Sequence, residues 1–140
     1  MEIRYSREAD LPALRELFNA SRKAAFFWEE PSQYQMWDFD EVTRDEVVFV
    51  AESNEEIVGF VGIYLPDDFI HSLYVAPEFF NQGIGHSLLD RALQELPKTA
   101  QLKVVSKNKR ALEFYQKNNW LKISEDTTVD EPYWLMEYRK

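Results

Sequence analysis

The sequence predicts a single domain of the α/β (α+β) class, in which helices cover one mixed sheet. The first observation is length: 140 residues suit one domain over 1–140, and no repeat or Gly/Ser linker divides them. The second is that 45% of the residues are hydrophobic, enough to form a core. The third is the predicted element order, β-α-α-β-β-β-α-β-α-β-β, which fits neither alternating βαβ units nor an all-β protein.

The first half of the chain is predicted to hold two helices and four strands. Residues 2–5 favour a short strand. Asp10 is a good N-cap for the first helix, and Pro12 occupies its first turn, where a missing N–H costs nothing. A less regular helical region is expected at about 32–43. The other expected elements are strands at 47–51 and 57–64 joined by a four- or five-residue hairpin loop, a turn at 66–68 and a strand at 69–75.

The second half adds two helices and three strands. Apolar residues at helical spacing predict a helix from Gly83 to Leu96, which Pro97 ends. The remaining predicted elements are a strand at 102–105, a helix at 109–118, and strands at 120–126 and 132–139. The total is seven strands and four helices.

Composition excludes several classes of function. The net charge of −9 argues against nucleic-acid binding, which requires a basic surface. The absence of cysteine excludes disulfides, thiolate nucleophiles and cysteine-bound metals, and His71 and His86 alone cannot form a histidine-rich metal site. No run approaches the ~20 apolar residues that span a bilayer, and the charged N-terminus does not resemble a signal peptide. We therefore expect a soluble cytoplasmic protein without a metal.

The most informative segment is a loop that opens onto a helix. After the strand that ends at Val75, a loop containing Pro77 leads to Gly83 and Gly85 at the helix start. Free N–H groups and the positive end of the helix dipole bind phosphate there, and glycines let the backbone approach it. The segment lacks the third glycine of a dinucleotide fingerprint and the Lys-Ser/Thr of a P-loop. A strand-to-helix turn without a ligand is the alternative.

These residues resemble the GCN5-related N-acetyltransferase (GNAT) family. The acetyl-CoA loop of that family reads Arg/Gln-x-x-Gly-x-Gly/Ala after a Leu-x-Val strand and a proline. The matching residues here are Leu73-Tyr74-Val75, Pro77 and Phe80-Asn81-Gln82-Gly83-Ile84-Gly85. A second family motif is matched by Asn108, Ala111, Phe114, Tyr115 and Asn119-Trp120. The chain departs from the family at Phe80, where Arg or Gln is usual, and at Asn119, where Gly is usual.

The resemblance implies both a fold and an activity. The fold is a mixed, mostly antiparallel seven-stranded sheet flanked by about four helices and splayed between strands 4 and 5. The activity is acetyl transfer from acetyl-CoA to a primary amine by direct attack in a ternary complex. The implied cofactor-binding residues are Leu73, Tyr74, Val75, Asn81, Gln82, Gly83, Ile84, Gly85, His86, Ser87, Asn108 and Tyr115. The alternatives are a longer acyl donor, a CoA-binding module without catalysis, and an interaction domain without a ligand.

Two side chains are candidates for proton transfer. The resemblance places the hydroxyl of Tyr115 by the CoA sulfur, and a phenol with a pKa near ~10 can protonate a departing thiolate. His71 is the candidate general base, because a neutral imidazole is available at physiological pH. Period-two alternation places His71 on the same strand face as Leu73 and Val75. The alternatives for the base are ordered water with backbone groups, Glu52 or Tyr64, and His71 can also be purely structural.

Charge and aromatic residues suggest a cationic acceptor, either a small molecule or a peptide amine. Residues 29–68 contain 12 acidic residues and one basic residue, and such a negative field attracts an ammonium group. Aromatic faces attract cations too, so an acceptor pocket is weakly predicted at Phe27, Trp28, Trp37 and Tyr133. The resemblance places a group of five basic residues beside the CoA phosphates, which their positive charge would attract: Lys98, Lys103, Lys107, Lys109 and Arg110. The chain is expected to be a monomer or homodimer.

Overall fold

Seven strands form one mixed sheet in the order β1-β2-β3-β4-β5-β7-β6. The computed structural model describes residues 1–140, with every side chain except that of Pro31. The strands are β1 Glu2–Tyr5, β2 Val47–Ser53, β3 Glu56–Tyr64, β4 Phe69–Val75, β5 Thr99–Val105, β6 Leu121–Asp126 and β7 Tyr133–Arg139. The helices are α1 Leu11–Ala25, α2 Asp38–Val42, α3 Ile84–Glu95 and α4 Lys109–Lys117. The predicted mixed sheet of seven strands with four helices is confirmed.

The sheet separates two apolar clusters, one on each face. On one face α3 and α4 pack through a cluster that includes Leu88 and Leu112. On the other face α1 and α2 contribute Phe18 and Phe39, which pack edge-to-face against Phe60 of β3 at 6.0 and 5.2 Å between ring centroids. Such aromatic pairs add ~0.5–1.5 kcal/mol each beyond the area that they bury. The helices are therefore held on opposite faces by their amphipathic stripes.

The sheet opens between β4 and β5. Among the described residues, these parallel strands pair at one position, Phe69 with Gln101, where the Gln101 N–H donates to the Asp68 carbonyl at 3.1 Å. β5 pairs with β7 along its whole length, and β4 pairs with β3 up to Val75. The edge of β4 beyond Phe69 is left without a strand partner, so the predicted splay is confirmed.

Several predicted boundaries were wrong. The β2–β3 loop has two residues, Asn54 and Glu55, with φ of 51° and 66°, rather than four or five. Positive φ at both positions is the signature of a type I′ hairpin turn, whose twist matches that of the strands. The second helix is only α2, preceded by a 3₁₀ turn at Pro31–Gln33, and β5 begins three residues before the predicted 102–105.

Asp10 precedes α1 as predicted, but its side chain does not cap that helix. The Asp10 carboxylate accepts two hydrogen bonds from the Arg4 guanidinium, at 2.8 and 3.0 Å, and one from the Arg7 N–H at 2.7 Å. The Arg4 hydrogen bond lowers the pKa of Asp10. A partner on β1 has therefore taken the carboxylate that local sequence assigned to the helix.

Candidate active site

The loop after β4 ends in unpaired amides. Gly83 is the N-cap of α3 with φ 81°, and the Ser87 N–H donates to its carbonyl at 3.1 Å. The amides of residues 84–86 precede that first helical bond and have no acceptor within the helix. A Cβ built on Gly83 would meet nothing within 4 Å, so the loop is open to a ligand. These amides and the helix dipole can hold a phosphate group.

The two glycines serve different purposes. A Cβ on Gly85 would lie 3.2 Å from Phe114 Cζ and 3.3 Å from Phe114 Cε1. Gly85 is therefore required because the α4 ring packs directly against the first turn of α3. Only Gly83 has the positive φ that favours glycine.

An arginine side chain lies over the ring of Phe80. The Arg110 guanidinium carbon lies 3.8 Å from the centroid of the Phe80 ring. Arg110 is near the start of α4, so this cation–π contact brings a positive charge to the loop where Phe80 has removed one. Sequence alone did not join the two residues, because they are 30 positions apart.

Tyr115 lies in the core cluster through which α3 and α4 pack on the sheet. Its ring packs against Trp120 and Phe114, with centroids 5.8 and 5.2 Å apart. Burial raises the pKa of Tyr115, and the neighbouring Tyr74 phenol on β4 raises it further. Burial also raises the pKa of Tyr74 to about 12. Both phenols therefore stay protonated at neutral pH, as a proton donor requires.

The rest of the second motif holds Tyr115 in place. The Asn108 side chain caps α4 by accepting the Ala111 N–H at 3.2 Å, which is its N-cap role. Asn119 has φ 71°, so asparagine supplies the left-handed residue at the helix end that glycine usually provides. The Trp120 N–H then donates to the Tyr115 carbonyl at 3.0 Å. The asparagine at position 119 is consistent with the motif.

His71 does not follow simple strand alternation. Gly62 pairs with Ser72 and Ile63 pairs with Ile70, so His71 is an extra residue in a β-bulge. Leu73 and Val75 pack on the α3 side of the sheet, whereas His71 is hydrogen-bonded through Nδ1 to Glu46. The predicted shared face is wrong because the bulge shifts the alternation.

A cavity of about 310 Å³ lies where β4 and β5 begin to separate. It is lined by Asp67, Phe69, His71 and Lys103. The Lys103 ammonium lies 4.9 Å from the Tyr133 ring centroid. Lys103 therefore belongs to this cavity and not to the phosphate loop, which follows β4 at least ~13 Å further along the strand. Arg110 contacts the loop through the Phe80 ring.

The alternative bases are placed as follows. Glu52 accepts a hydrogen bond from Arg4 Nε at 3.1 Å and pairs with Ile57, about six residues (~20 Å) along β3 from the neighbours of His71. Tyr64 stacks on the His71 ring, with centroids 6.0 Å apart and planes 10° apart. Of the two alternative bases, Glu52 is therefore distant from the opening, whereas Tyr64 lies next to His71.

Some of the aromatic residues predicted to form an acceptor pocket lie close together in the structure. Trp28 Nε1 donates to Glu131 at 3.3 Å, and the Phe27 ring packs edge-to-face on Trp28 at 5.3 Å. Glu131 lies two residues before Tyr133, so Phe27, Trp28 and the start of β7 are neighbours. Trp37, the residue before α2, is 62% exposed.

His86 and the acidic residues are engaged with other side chains. His86 contacts Asn118 through Nδ1 at 2.5 Å and Asp90 through Nε2 at 3.2 Å, so its ring bridges α3 and α4. Several acidic residues of 29–68 pair with arginines, which weakens the negative field. The pairs are Asp38 with Arg22, Asp40 with Arg15, Glu41 with Arg44 and Glu52 with Arg4.

Two residues of this region were not predicted as members of the site. Arg110 was assigned only to a general basic patch, and its stacking partner was not foreseen. Glu46 was counted only among the acidic residues, yet its side chain is 2% exposed and meets His71. The available signal was weak: a lone acidic residue directly before a buried strand.

A metal cluster and a membrane-spanning helix are both absent from the described residues. No group of three or more His, Asp or Glu side chains is placed to hold a metal ion. In the same residues, no helix combines the length and apolar character needed to cross a bilayer.

The sheet that opens between β4 and β5 and the open glycine loop at the start of α3 are the arrangement that the GNAT resemblance implied. A sequence model of the acetyltransferase (GNAT) family matches residues 11–120, and the chain belongs to that family. It is an acetyltransferase that acts on an amine, and membership supports acetyl-CoA binding.

Known relatives cover nearly all of the chain. Peptidyl-lysine N-acetyltransferase YiaC of Escherichia coli is 30% identical over 97% of this chain and 95% of its own. The PaiA N-acetyltransferase of Thermoplasma acidophilum, solved with coenzyme A, superimposes with a TM-score of 0.83 at 19% identity over 100% of both chains. The ribosomal-protein-S18-alanine N-acetyltransferase of Escherichia coli gives 0.78 at 19% identity, over 99% and 92%. The two solved structures establish the fold.

Proposed function

We propose that this chain transfers the acetyl group of acetyl-CoA to the side-chain amine of lysine in a peptide or protein. The observation that carries the proposal is the opening between β4 and β5, with the amides of residues 84–86 at one end and Tyr115 buried in the core cluster against which Leu73 and Val75 of β4 pack. The similarity to YiaC, a peptidyl-lysine N-acetyltransferase, over 97% of the chain supports lysine as the acceptor.

The residues around the opening fit acetyl-CoA. The unpaired amides of residues 84–86 and the Arg110 guanidinium would hold the pyrophosphate, since both provide donors for an anion. The Ala76 N–H donates to the Val58 carbonyl, so by alternation Leu73 and Val75 direct their N–H groups into the opening. These groups would pair with pantetheine and stabilise the oxyanion. His86, which bridges two helices, would contribute its backbone amide.

The reaction needs no covalent enzyme intermediate, because the chain has no cysteine to accept the acetyl group. The ammonium group of the acceptor gives one proton to His71, and the resulting amine attacks the thioester carbonyl. As the C–S bond breaks, Tyr115 donates its proton to the thiolate and regains one from the new amide nitrogen. His71 then releases its proton to solvent, so the products are the amide, CoA thiol and one proton.

The acceptor side favours a cation next to an aromatic surface. Phe27, which is 80% exposed, and Trp28 border the start of β7. Unpaired acidic residues in 29–68 add to the attraction, within the limit set by their arginine partners. The second candidate is a CoA-binding module without catalysis, which Phe80 favours because it removes a polar group from the loop.

The test follows thiol release from acetyl-CoA with a lysine peptide, a peptide with a free alanine N-terminus and a diamine. We expect release with the lysine peptide and a ~100-fold lower kcat in Tyr115→Phe, with the Kd for CoA within twofold of wild type. Tyr138→Phe is the matched control, since Tyr138 packs on the same Trp120 from β7. A parallel assay with octanoyl-CoA tests the longer donor.

Two results would contradict the proposal. CoA binding without thiol release from any amine would indicate the non-catalytic module. No thermal shift with CoA would indicate an interaction domain, since binding at one hundred times Kd adds about 2.7 kcal/mol.

A further inference from the structure

Glu46 is a buried carboxylate with one partner. It lies directly before β2, its side chain is 2% exposed, and its Oε2 is hydrogen-bonded to His71 Nδ1. Its Oε1 has no hydrogen-bond partner among the described residues. Burial raises the pKa of Glu46, and the His71 hydrogen bond opposes that change. The imidazole is therefore the group that balances this carboxylate.

Three local features build the contact between the two side chains. The missing side chain of Gly62 leaves the room that Glu46 Oε1 occupies, since a Cβ there would collide with it. The bulge in β4 turns His71 out of the α3 face. Tyr64 stacks on the imidazole, and Phe69 packs edge-on at 5.1 Å. The ring is held between aromatic side chains while Glu46 holds its Nδ1.

Stability does not explain the burial of Glu46. A buried carboxylate with one oxygen unpaired costs free energy, and apolar replacements of buried ionic groups are often neutral or stabilising. His71 is 46% exposed and would remain solvated without Glu46. The arrangement therefore costs folding free energy for the sake of a fixed imidazole, which is typical of functional sites.

We propose that Glu46 is a positioning residue that fixes the Nδ1–H tautomer of His71 and leaves Nε2 free to take the acceptor's proton. This role rests on the proposed function. When the acceptor ammonium loses a proton to Nε2, the imidazole gains a positive charge, and the Glu46 carboxylate compensates it. The exposed ring then returns that proton to solvent, and Glu46 keeps its own ionisation state throughout.

Other charged groups near the imidazole act from the solvent side. Asp67 and Lys103 line the same cavity with opposite charges, and Tyr64 stacks on the ring. In the described residues, Glu46 is the group that hydrogen-bonds the imidazole. The pH dependence of the reaction should therefore respond to Glu46 more strongly than to either cavity residue.

The kinetic test compares Glu46→Gln, which keeps an oxygen acceptor without the charge, with Glu46→Met, which removes both. We expect kcat with the lysine peptide to fall about tenfold in the first and about 100-fold in the second, with KM and the Kd for CoA within twofold. Glu8→Gln removes the same charge from an exposed side chain outside the acidic segment 29–68, and should leave kcat unchanged. In a His71→Gln background, the Glu46 substitutions should change kcat less than twofold.

Two further readouts separate positioning from a structural effect. In Glu46→Met, the midpoint of the rising limb of kcat/KM against pH should move to lower pH, because the imidazolium has lost its counter-charge. Nitrogen NMR should show the Nδ1–H tautomer of His71 in wild type and the Nε2–H tautomer in Glu46→Met. His71→Gln assigns the signals, since the chain has two histidines.

The results of these experiments decide whether Glu46 positions His71. Equal losses in both His71 backgrounds, an unmoved midpoint, or an Nε2–H tautomer in wild type would overturn the positioning role while leaving acetyl transfer intact. If no amine is acetylated at all, the proposed function fails and this role fails with it. The tautomer measurement would then support only the hydrogen bond.

Discussion

The two ends of β4 offer different kinds of groups to the proposed cofactor and acceptor. At the C-terminal end the groups are mainly backbone amides, and the requirements are a positive φ at Gly83 and space at Gly85. At the N-terminal end the groups are side chains, with His71 in a bulge and Glu46 beneath it. Substitutions at the first end should therefore change cofactor affinity or folding, and those at the second should change turnover. In the proposed function, cofactor binding and proton transfer are therefore separated along a single strand.

Gly85→Val should produce the largest change in stability. The added methyl groups would enter the Phe114 ring, which already lies 3.2 Å from the Cβ position. Overpacking of this kind costs ~1–3 kcal/mol, so we expect Tm to fall by about 6 °C. Thermal unfolding without CoA measures the effect.

The control for this prediction is the neighbouring glycine. Phe114→Leu should rescue Gly85→Val, because it makes room. It should not rescue Gly83→Ala, whose cost of ~1–2 kcal/mol comes from φ 81° in open space. Gly83→Asn should be milder than Gly83→Ala, and an equal rescue of both glycines would refute the distinction.

Arg110→Ala should weaken CoA binding about tenfold while leaving kcat within twofold. The guanidinium lies above Phe80, and in the proposed function it would supply a charge-assisted contact of ~1.5 kcal/mol to a CoA phosphate. Phe80→Leu should weaken binding about twofold, because the cation–π contact that holds Arg110 is worth ~0.5–1 kcal/mol. Calorimetry with CoA provides the measurement. Lys109→Ala removes the same charge one residue away, and an equal loss there would argue against a specific contact.

Glu46→Met should stabilise the protein at pH 8 by about 1 kcal/mol, or about 3 °C in Tm. Burial raises the pKa of Glu46, so the folded state binds the proton more tightly than the unfolded chain. Wild-type stability therefore falls as pH rises from the ordinary glutamate pKa through the raised one, and the variant escapes this loss. The gain should disappear near pH 4. A gain of equal size at both pH values would show that packing, and not ionisation, is responsible.

Ionic strength should have the smallest effect. We expect kcat/KM for the lysine peptide to fall about twofold between 50 and 500 mM NaCl, because salt screens the acidic side chains of 29–68. The fall is small because Asp38, Asp40 and Glu52 are already paired with arginines. A neutral acceptor with the same aromatic contacts should show no change, and a lysine peptide that also shows none would remove the electrostatic argument.

Local patterns predicted most of the fold correctly. The apolar spacing of α1 and α3 placed both helices, and the Gly-x-Gly motif placed the loop at the helix start. The errors occurred where long-range partners decide. Arg4 took the Asp10 carboxylate away from α1, and the pairing of β2 with β3 shortened the hairpin to Asn54 and Glu55.

The sequence by itself determined the family, and through that resemblance the splayed sheet, and its local motifs placed Gly83 at the start of α3 and Tyr115 on α4. It did not determine the face on which His71 lies, because the bulge in β4 depends on the register with β3. Only the tertiary structure decided which side chains meet. Glu46 reaches His71 across 25 positions, and Arg110 reaches Phe80 across 30. A bulge and a glycine on adjacent strands made the first contact possible, and neither leaves a periodic signal in the sequence. Contacts between distant residues follow from strand register and packing, which local patterns do not encode.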